Sequence, residues 1–158
     1  MEMPIPHDNS NIVSSWDVLN GQEVTGDCVV IGGGLVGAET AEYLANKGHQ
    51  VTIVEMMDKI AAGESTTVLP LMMKDFADHN VKQLVNTKVD HIENNIVYTA
   101  NDQIKADTII NALGSKKNIF DDSSITIPHV CVGDCSGERT ADIASAIRTA
   151  YKAANEIG

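Results

Sequence analysis

Basic residues are scarce in this sequence of 158 residues. The 11 Lys and Arg residues stand against 22 Asp and Glu residues, which gives a formal net charge of −11. An acidic surface repels phosphate backbones and anionic lipid headgroups, so the composition argues against nucleic-acid and membrane binding. It does not exclude a dinucleotide cofactor, because backbone N–H groups at a helix N-terminus bind phosphates without any basic side chain.

Long apolar runs and a cysteine framework are lacking as well. No segment has the apolar length that a membrane-spanning helix requires. The opening stretch MEMPIPHDNS contains neither a basic nor an apolar region, so we expect no secretory signal there. The three cysteines are an odd number without regular spacing, which favours a reducing cytoplasm as the compartment.

Short β-branched runs alternate with helical patterns along the chain. This alternation predicts an α/β fold, a Rossmann-like, mainly parallel sheet with helices on both faces. Turn signals at Asn94–Asn95 and Asn101–Asp102 predict a small antiparallel β-meander. Thr140 is predicted to cap the last helix. The predicted strands are 27–34, 50–55, 81–86, 107–114 and 129–135, and the predicted helices are 15–19, 35–48, 68–80 and 140–157.

The most informative stretch is VVIGGGLVGAETAEYLANKGHQVTIVE. It contains Gly32-x-Gly34-x-x-Gly37 between a predicted strand and a predicted helix. Gly32 permits a tight turn off the strand, Gly34 lets the backbone approach a pyrophosphate, and Gly37 lets the helix lie close to the strand. Leu35 and Val36 then belong to a helix N-terminus whose free N–H groups and partial positive charge attract phosphates.

The strand that follows this helix ends in an acidic residue, Glu55. A carboxylate here can bind both hydroxyls of an adenosine ribose and repels a 2′-phosphate, so we predict NAD(H) in preference to NADP(H). The alternative is a glycine-rich turn without a ligand and a solvated Glu55, but the strand, helix and acid around the motif favour the nucleotide site. Glu39, in the first turn of the helix, either faces the ligand groove or complements the helix dipole, and both interpretations stay open.

Other catalytic or metal-binding patterns are not evident. The five histidines are scattered without ligand spacing and are interpreted as surface or loop residues. Cys131 and Cys135 are interpreted as ordinary buried thiols, with a disulfide or a metal pair as the alternative. Met72 and Met73 are predicted to fill the core.

The glycine-rich stretch, with SSWDVLNG, VTIVEM, ADTIINALG and VCVGDC in this order along the chain, resembles the two-dinucleotide-binding flavoproteins. It is most similar to the NAD(P)H-binding module in the C-terminal region of NADH:flavin oxidoreductases that carry an old-yellow-enzyme barrel. 2,4-Dienoyl-CoA reductase and 2-enoate reductase are of this type. Thioredoxin reductases share the module but place a C-x-x-C in it, and here no cysteine lies between Cys28 and Cys131.

The resemblance implies an FAD-type domain that is interrupted by an NAD(H)-binding domain. Residues 1–24 would be the lead-in segment of the FAD-type domain, 25–112 the Rossmann-like NAD(H)-binding domain, and 113–158 the return segment. Gly114 would lie at the crossover, and Asp134 would approach the ribityl or pyrophosphate part of FAD.

The resemblance also implies a function, in which NADH is positioned for hydride transfer to a flavin. NAD(H) would bind in this chain, whereas FAD, FMN and an iron–sulfur cluster are expected only in a full-length parent. The sequence has no second glycine fingerprint, no barrel and no cysteine cluster. We therefore expect a piece of a larger enzyme, inactive alone, that needs the missing flavin and barrel domains as partners or self-associates. The alternative is a stand-alone NAD(H)- or ADP-binding or sensing module without catalysis.

Overall fold

The protein is described here by a computed structural model that covers residues 3–63, 65–114, 121–136 and 143–156. The chain divides into two compact units, Met1–Gly114 and Ser115–Gly158. The predicted helix cap Thr140 lies outside the described residues.

The first unit is built on a five-stranded parallel sheet with the strand order β1-β8-β2-β3-β4, and a three-stranded antiparallel sheet with the order β5-β6-β7. The strands are β1 Ile12–Ser14, β2 Cys28–Ile31, β3 Val51–Val54, β4 Lys82–Leu84, β5 Val89–Glu93, β6 Ile96–Thr99, β7 Gln103–Lys105 and β8 Thr108–Asn111. The helices of this unit are α1 Ser15–Leu19, α2 Leu35–Asn46 and α3 Leu69–Asp78.

The central strands β2 and β8 are buried along their whole length. Parallel strands that are covered on both faces read as continuous apolar runs, which is why CVVI and TIIN showed no alternation with polar residues. Val30 pairs with Ile53 of β3 on one side and with Ile110 of β8 on the other. The predicted Rossmann-like α/β fold with a mainly parallel sheet and a small meander is confirmed.

The two faces of the parallel sheet are covered differently. Val18 of α1, Leu44 of α2 and Phe76 of α3 belong to the apolar cluster on one face. Ile92 and Val97 of the meander belong to the cluster on the other face. In the described part of the first unit, the second face is therefore covered by the meander and not by the helices that were expected on both faces. The connection from β4 to β8 runs through the antiparallel strands, and these bury the outward apolar side chains of the sheet.

Several local features follow from the turn and cap chemistry of the sequence. Asn94 and Asn95 have positive φ angles of 54° and 59°, as the tight hairpin between β5 and β6 requires. Pro70 lies in the first turn of α3, where its missing N–H costs nothing. Gly48, with φ of 91°, ends α2. Met72 is buried in the core, as predicted.

The second unit contains a 3₁₀ turn, Gly133–Cys135, and one described helix, α4 Ile143–Glu156. The strand predicted at 129–135 is wrong, because the structure has an irregular segment that leads into the 3₁₀ turn. A strand needs a neighbour for its backbone N–H and C=O groups. No described segment of the second unit pairs with this one, and Val130 is 56% exposed. Across the described parts of both units, no helix is long and apolar enough to cross a membrane.

A histidine–carboxylate pair closes the loop before the 3₁₀ turn. The Nδ1 atom of His129 lies 2.9 Å from the carbonyl oxygen of Ile127, and its Nε2 atom lies 2.9 Å from Oδ2 of Asp122. The Ile127 carbonyl, and then the Asp122 carboxylate, raise the pKa of His129. The hydrogen bond from His129 in turn lowers the pKa of Asp122. The loop is therefore held best when the imidazole is charged and the carboxylate is ionised.

We expect the His129 ring resonances to titrate above the ordinary histidine pKa of about 6.5. The stabilisation that His129 contributes to the folded loop is fully present below the ordinary histidine pKa. It is lost as the pH rises through the raised pKa of His129. The stabilisation that Asp122 contributes to the folded loop is lost as the pH falls through the lowered pKa of this carboxyl. The pair therefore stabilises the loop fully between about pH 4 and about pH 6.5. In an NMR titration, Asp122→Asn should lower the His129 pKa, whereas Asp121→Asn, which removes a carboxylate bonded to Ser123, should change it much less. Equal shifts in the two variants would show that the pair is not formed.

Candidate dinucleotide site

The glycine loop follows β2 and needs glycine at two positions for different reasons. Gly32 has φ of 101°, and a Cβ atom there would lie 2.7 Å from the carbonyl oxygen of Ala112. A Cβ atom at Gly37 would overlap the carbonyl oxygen of Gly32. Helix α2 can lie this close to the end of β2 only because Gly37 has no side chain.

The N-terminus of α2 is open toward solvent. Gly34 is exposed, and a Cβ atom added to it would meet nothing within 4 Å. The N–H group of Ala38 donates to the carbonyl oxygen of Gly34 at 2.9 Å. The N–H groups of Leu35 and Val36 come before this first intrahelical hydrogen bond. They have no carbonyl acceptor within the helix and can bind an anion.

Glu55 is the buried acid of this site, only 9% exposed at the end of β3. Its Oε2 atom accepts a hydrogen bond of 2.6 Å from the N–H group of Gly33. Its Oε1 atom accepts a hydrogen bond of 2.7 Å from the N–H group of Met57. The backbone N–H of Glu55 donates to the carbonyl oxygen of Leu84 in the neighbouring strand β4 at 2.8 Å. The carboxylate thus connects the glycine loop to the end of β3.

Gly33, the middle residue of the glycine triplet, is held from both sides. Its N–H group donates to Glu55, and its carbonyl oxygen accepts a hydrogen bond of 2.7 Å from the N–H group of Ala61. The roles of Gly32 and Gly34 were predicted from the sequence, whereas no role was predicted for Gly33. The signal that could have found it is the run of three consecutive glycines, of which the standard pattern explains only two.

A cavity of about 170 Å³ lies beside the glycine loop, at the carboxyl ends of β2 and β3. Ligands in open α/β sheets bind outside the carboxyl ends of the strands. The lining is mostly apolar, and Glu55 and Lys88 are its charged residues. The lining residues are Ile5, Ile31, Gly32, Val54, Glu55, Met56, Thr87, Lys88, Val89 and Leu113.

Three other predicted site residues are placed less centrally. Glu39 is exposed and is the fifth residue of α2, so the prediction that it lies in the first turn of the helix is wrong. Gly114 is exposed, has φ of 75° and ends the first unit. Asp134 is an exposed residue of the 3₁₀ turn in the second unit. Of the predicted site residues, Gly32 and Glu55 line the cavity. The residues at the start of α2 and Glu39 are not on its lining, although Gly33, between Gly32 and α2, is hydrogen-bonded to Glu55.

The cysteines differ from their predicted environment. Cys135 is exposed and Cys131 is half-buried, so the interpretation of both as buried thiols is wrong. The run around them forms no strand in the structure, and Val130 and Val132 within it are exposed. Among the residues that the structure describes, no group of three or more His, Cys, Asp or Glu side chains could hold a metal ion.

A family model described as pyridine nucleotide-disulphide oxidoreductase matches residues 3–129. The chain belongs to this family. A bilirubin reductase of Mediterraneibacter gnavus is 44% identical to it over 97% of this chain and 24% of that protein. A cinnamate reductase of Clostridium sporogenes is 30% identical over 92% of this chain and 23% of that protein. A solved complex of 2-naphthoyl-CoA reductase superposes with a TM-score of 0.79 and 28% identity, over 96% of this chain and 24% of that one.

Membership in the pyridine nucleotide-disulphide oxidoreductase family makes the chain a dinucleotide-binding oxidoreductase domain of the flavoprotein type. The resemblance to the two-dinucleotide-binding flavoproteins is confirmed at this level. The chain spans about a quarter of the length of these relatives, 23% to 24%.

Proposed function

We propose that this chain is the NADH-binding portion of a flavin-dependent oxidoreductase, and that it positions NADH for hydride transfer to a flavin held by the rest of a parent enzyme. The observation that carries the proposal is the buried carboxylate of Glu55, hydrogen-bonded to a loop that only glycine can form. When bound, NADH supplies the hydride. The residues of this chain bind the nucleotide and fix its orientation.

The start of α2 is suited to the pyrophosphate. The open space in front of Gly34 lets phosphate oxygens approach the backbone, since no Cβ atom stands between them. The N–H groups of Leu35 and Val36 can then donate to those oxygens at the positive end of the helix dipole. This arrangement needs no basic side chain, which agrees with the acidic composition of the protein.

Glu55 is suited to the adenosine ribose. Each carboxylate oxygen accepts one backbone hydrogen bond, and each has a further lone pair that can accept from a ribose hydroxyl. A 2′-phosphate in the same place would meet a buried negative charge, so we assign NADH as the preferred nucleotide. Lys88 lines the same cavity, and its positive charge would reduce the preference for NADH over NADPH.

The flavin and the substrate belong to the rest of the parent in this proposal. Three relatives are reductases by name, and the chain covers about a quarter of each. We assign 25–112 to the NADH-binding domain, 1–24 and 113–158 to the interrupted FAD-type domain, and FAD, FMN and an iron–sulfur cluster to the old-yellow-enzyme-type parent. Asp134 and Gly114 would serve that flavin.

The exposed side chains of Ile143, Ile147 and Tyr151, spaced along one side of α4, support self-association of the chain when it is alone.

Calorimetric titration of the purified chain with NADH, NADPH and ADP-ribose tests the proposal. We expect NADH to bind at least about tenfold more tightly than NADPH, a difference of about 1.4 kcal/mol. ADP-ribose should compete with NADH, because Glu55 and the start of α2 are proposed to bind the adenosine and pyrophosphate half of the nucleotide. NADH oxidation by the chain alone should stay at the rate measured without protein. Absence of NADH binding, or equal affinity for NADPH, would overturn the assignment of Glu55.

A further inference from the structure

Ala61, in the turn that follows β3, has a backbone conformation that alanine disfavours. Its φ angle is 51°, and the residue is completely buried. Residues with a Cβ atom rarely adopt this left-handed region, because the Cβ atom crowds a backbone carbonyl oxygen. Such a conformation persists only where the surrounding contacts enforce it, and ligand sites are a common place for it. The contacts of Ala61 lead to the glycine loop.

The segment 55–61 covers Gly33 and is hydrogen-bonded to it at both ends. Oε2 of Glu55 accepts from the N–H group of Gly33 at 2.6 Å. The N–H group of Ala61 donates to the carbonyl oxygen of Gly33 at 2.7 Å. Between these contacts lies Ile60, whose Cδ1 atom would be 2.5 Å from a Cβ atom added to Gly33. Both polar backbone groups of Gly33 are therefore fixed in direction.

The contact with Ala61 also fixes the next N–H group along the chain. The peptide unit between Gly33 and Gly34 is planar and trans, so its N–H group points opposite to its carbonyl group. Because the carbonyl group points at Ala61, the N–H group of Gly34 points away from the segment 55–61. None of the described residues accepts a hydrogen bond from this N–H group. Gly34 is also exposed, so its N–H group is free to donate to a ligand oxygen.

We propose that Ala61 is a positioning residue for the pyrophosphate of the nucleotide. Its N–H group holds the Gly33–Gly34 peptide in the orientation in which the N–H group of Gly34 donates to a phosphate oxygen. The opposite orientation would present the carbonyl oxygen of Gly33 to the phosphate, and the two negative groups would repel each other. This inference rests on the proposed function, since the pyrophosphate is that of NADH.

A backbone substitution removes the N–H group of Ala61 and leaves its side chain in place. Lactate, the hydroxy acid that corresponds to alanine, puts an ester oxygen where the N–H group was and keeps the methyl group. Lactate in place of Ala62 is the matched control, because Ala62 is exposed and no described residue accepts from its N–H group. Ala61→Gly is the second control, since it keeps the N–H group and glycine adopts a positive φ angle readily.

The experiment titrates the full chain with NADH and with NADPH. Lactate in place of Ala61 should weaken the binding of each nucleotide about tenfold, the effect expected when one hydrogen bond to a charged group is lost. The ratio of the two affinities should stay unchanged, because both nucleotides contain the pyrophosphate and Glu55 is intact. Lactate in place of Ala62 and Ala61→Gly should each change the affinities by no more than about twofold.

The amide of Gly34 gives a second measurement that needs no variant. In the unmodified chain, saturating NADH should shift the amide proton of Gly34 downfield and protect it from hydrogen exchange, because the N–H group then donates to a charged oxygen. This measurement decides the question even if the chain with lactate in place of Ala61 does not fold, which circular dichroism detects.

Three results would overturn the inference while leaving the proposed function in place. The first is unchanged NADH affinity in the chain with lactate in place of Ala61. The second is a change in the NADH-to-NADPH ratio in that chain, which would show that the contact acts through Glu55 and not on the pyrophosphate. The third is an amide proton of Gly34 that stays unprotected in saturating NADH. An unmodified chain that binds neither nucleotide would overturn the proposed function, and this inference with it.

Discussion

Gly37→Ala should destabilise the protein by about 2 kcal/mol or more and abolish NADH binding. Alanine is favoured over glycine within a helix by about 1 kcal/mol. The added methyl group, however, overlaps the carbonyl oxygen of Gly32, and a backbone atom cannot turn away as a flexible side chain can. Overpacking costs about 1–3 kcal/mol, and an overlap with a backbone atom belongs at the upper end of that range. Urea unfolding followed by circular dichroism measures the loss, and NADH titration measures the binding.

Gly34→Ala is the matched control from the same motif. Gly34 has φ of −65°, which alanine adopts without strain, and its added methyl group would meet nothing within 4 Å. We expect the free energy of unfolding to change by no more than about 1 kcal/mol. NADH binding should still weaken by about tenfold or more, because the methyl group takes the space in front of the helix N-terminus. Equal stability losses in the two variants, or unchanged NADH binding in both, would contradict these separate roles, in which Gly37 allows close packing and Gly34 leaves space for the pyrophosphate.

Glu55→Gln should impair both the stability of the chain and its choice of nucleotide. A glutamine amide has one accepting oxygen, whereas Glu55 accepts from the N–H groups of both Gly33 and Met57. One of these N–H groups, the buried one of Gly33 or the partly buried one of Met57, loses its acceptor, which costs about 1–3 kcal/mol. NADH should bind about tenfold more weakly, and NADPH should lose less, because the charge that repels its 2′-phosphate is gone. The ratio of the two affinities is therefore the informative measurement.

Glu93→Gln removes the same charge from an exposed position on the meander. We expect it to leave both the free energy of unfolding and the NADH-to-NADPH ratio unchanged, since surface substitutions of this kind are usually within about 0.5 kcal/mol. If Glu55→Gln behaves like Glu93→Gln, the carboxylate does not take part in nucleotide selection. If both variants lower the ratio equally, the net charge of the protein accounts for the selection instead.

The parallel sheet of the first unit could be predicted because its signals are local. CVVI, VTIV and TIIN are apolar and β-branched, and the strands they form are largely buried. The Asn94–Asn95 turn was predictable since asparagine tolerates positive φ. The covering of the second sheet face was not predictable in this way, because it depends on which strands meet at long range.

The strand expected around Cys131 shows what a local pattern cannot supply. An apolar run becomes a strand only where another strand pairs with it, and no described neighbour in the second unit does so. The opposite case is Ile12–Ser14, which is not among the strands predicted from the sequence. It forms the edge strand β1 because β8 pairs with it. In both cases the deciding factor is a partner far away in sequence.

The residues of the candidate site that have a known role in a glycine loop could be predicted from the sequence. Gly32, Gly37 and Glu55 lie together as the motif indicates. The two hydrogen bonds that Glu55 accepts from the backbone were not predictable, nor was the contact between Gly33 and Ala61. These contacts depend on the path of the chain after β3, where the sequence has no periodic pattern. Their role in nucleotide binding stays a prediction.

Backbone amide shifts of the isotope-labelled chain during titration with NADH test the proposed nucleotide site most directly. We expect the amides of Gly32 to Gly37 and of Glu55 to shift most, while those of the 3₁₀ turn in the second unit shift little. NADPH should produce the same pattern only at a concentration about tenfold higher. An unchanged glycine loop in saturating NADH would contradict the account, because the loop and its buried acid would then be structural features without a nucleotide.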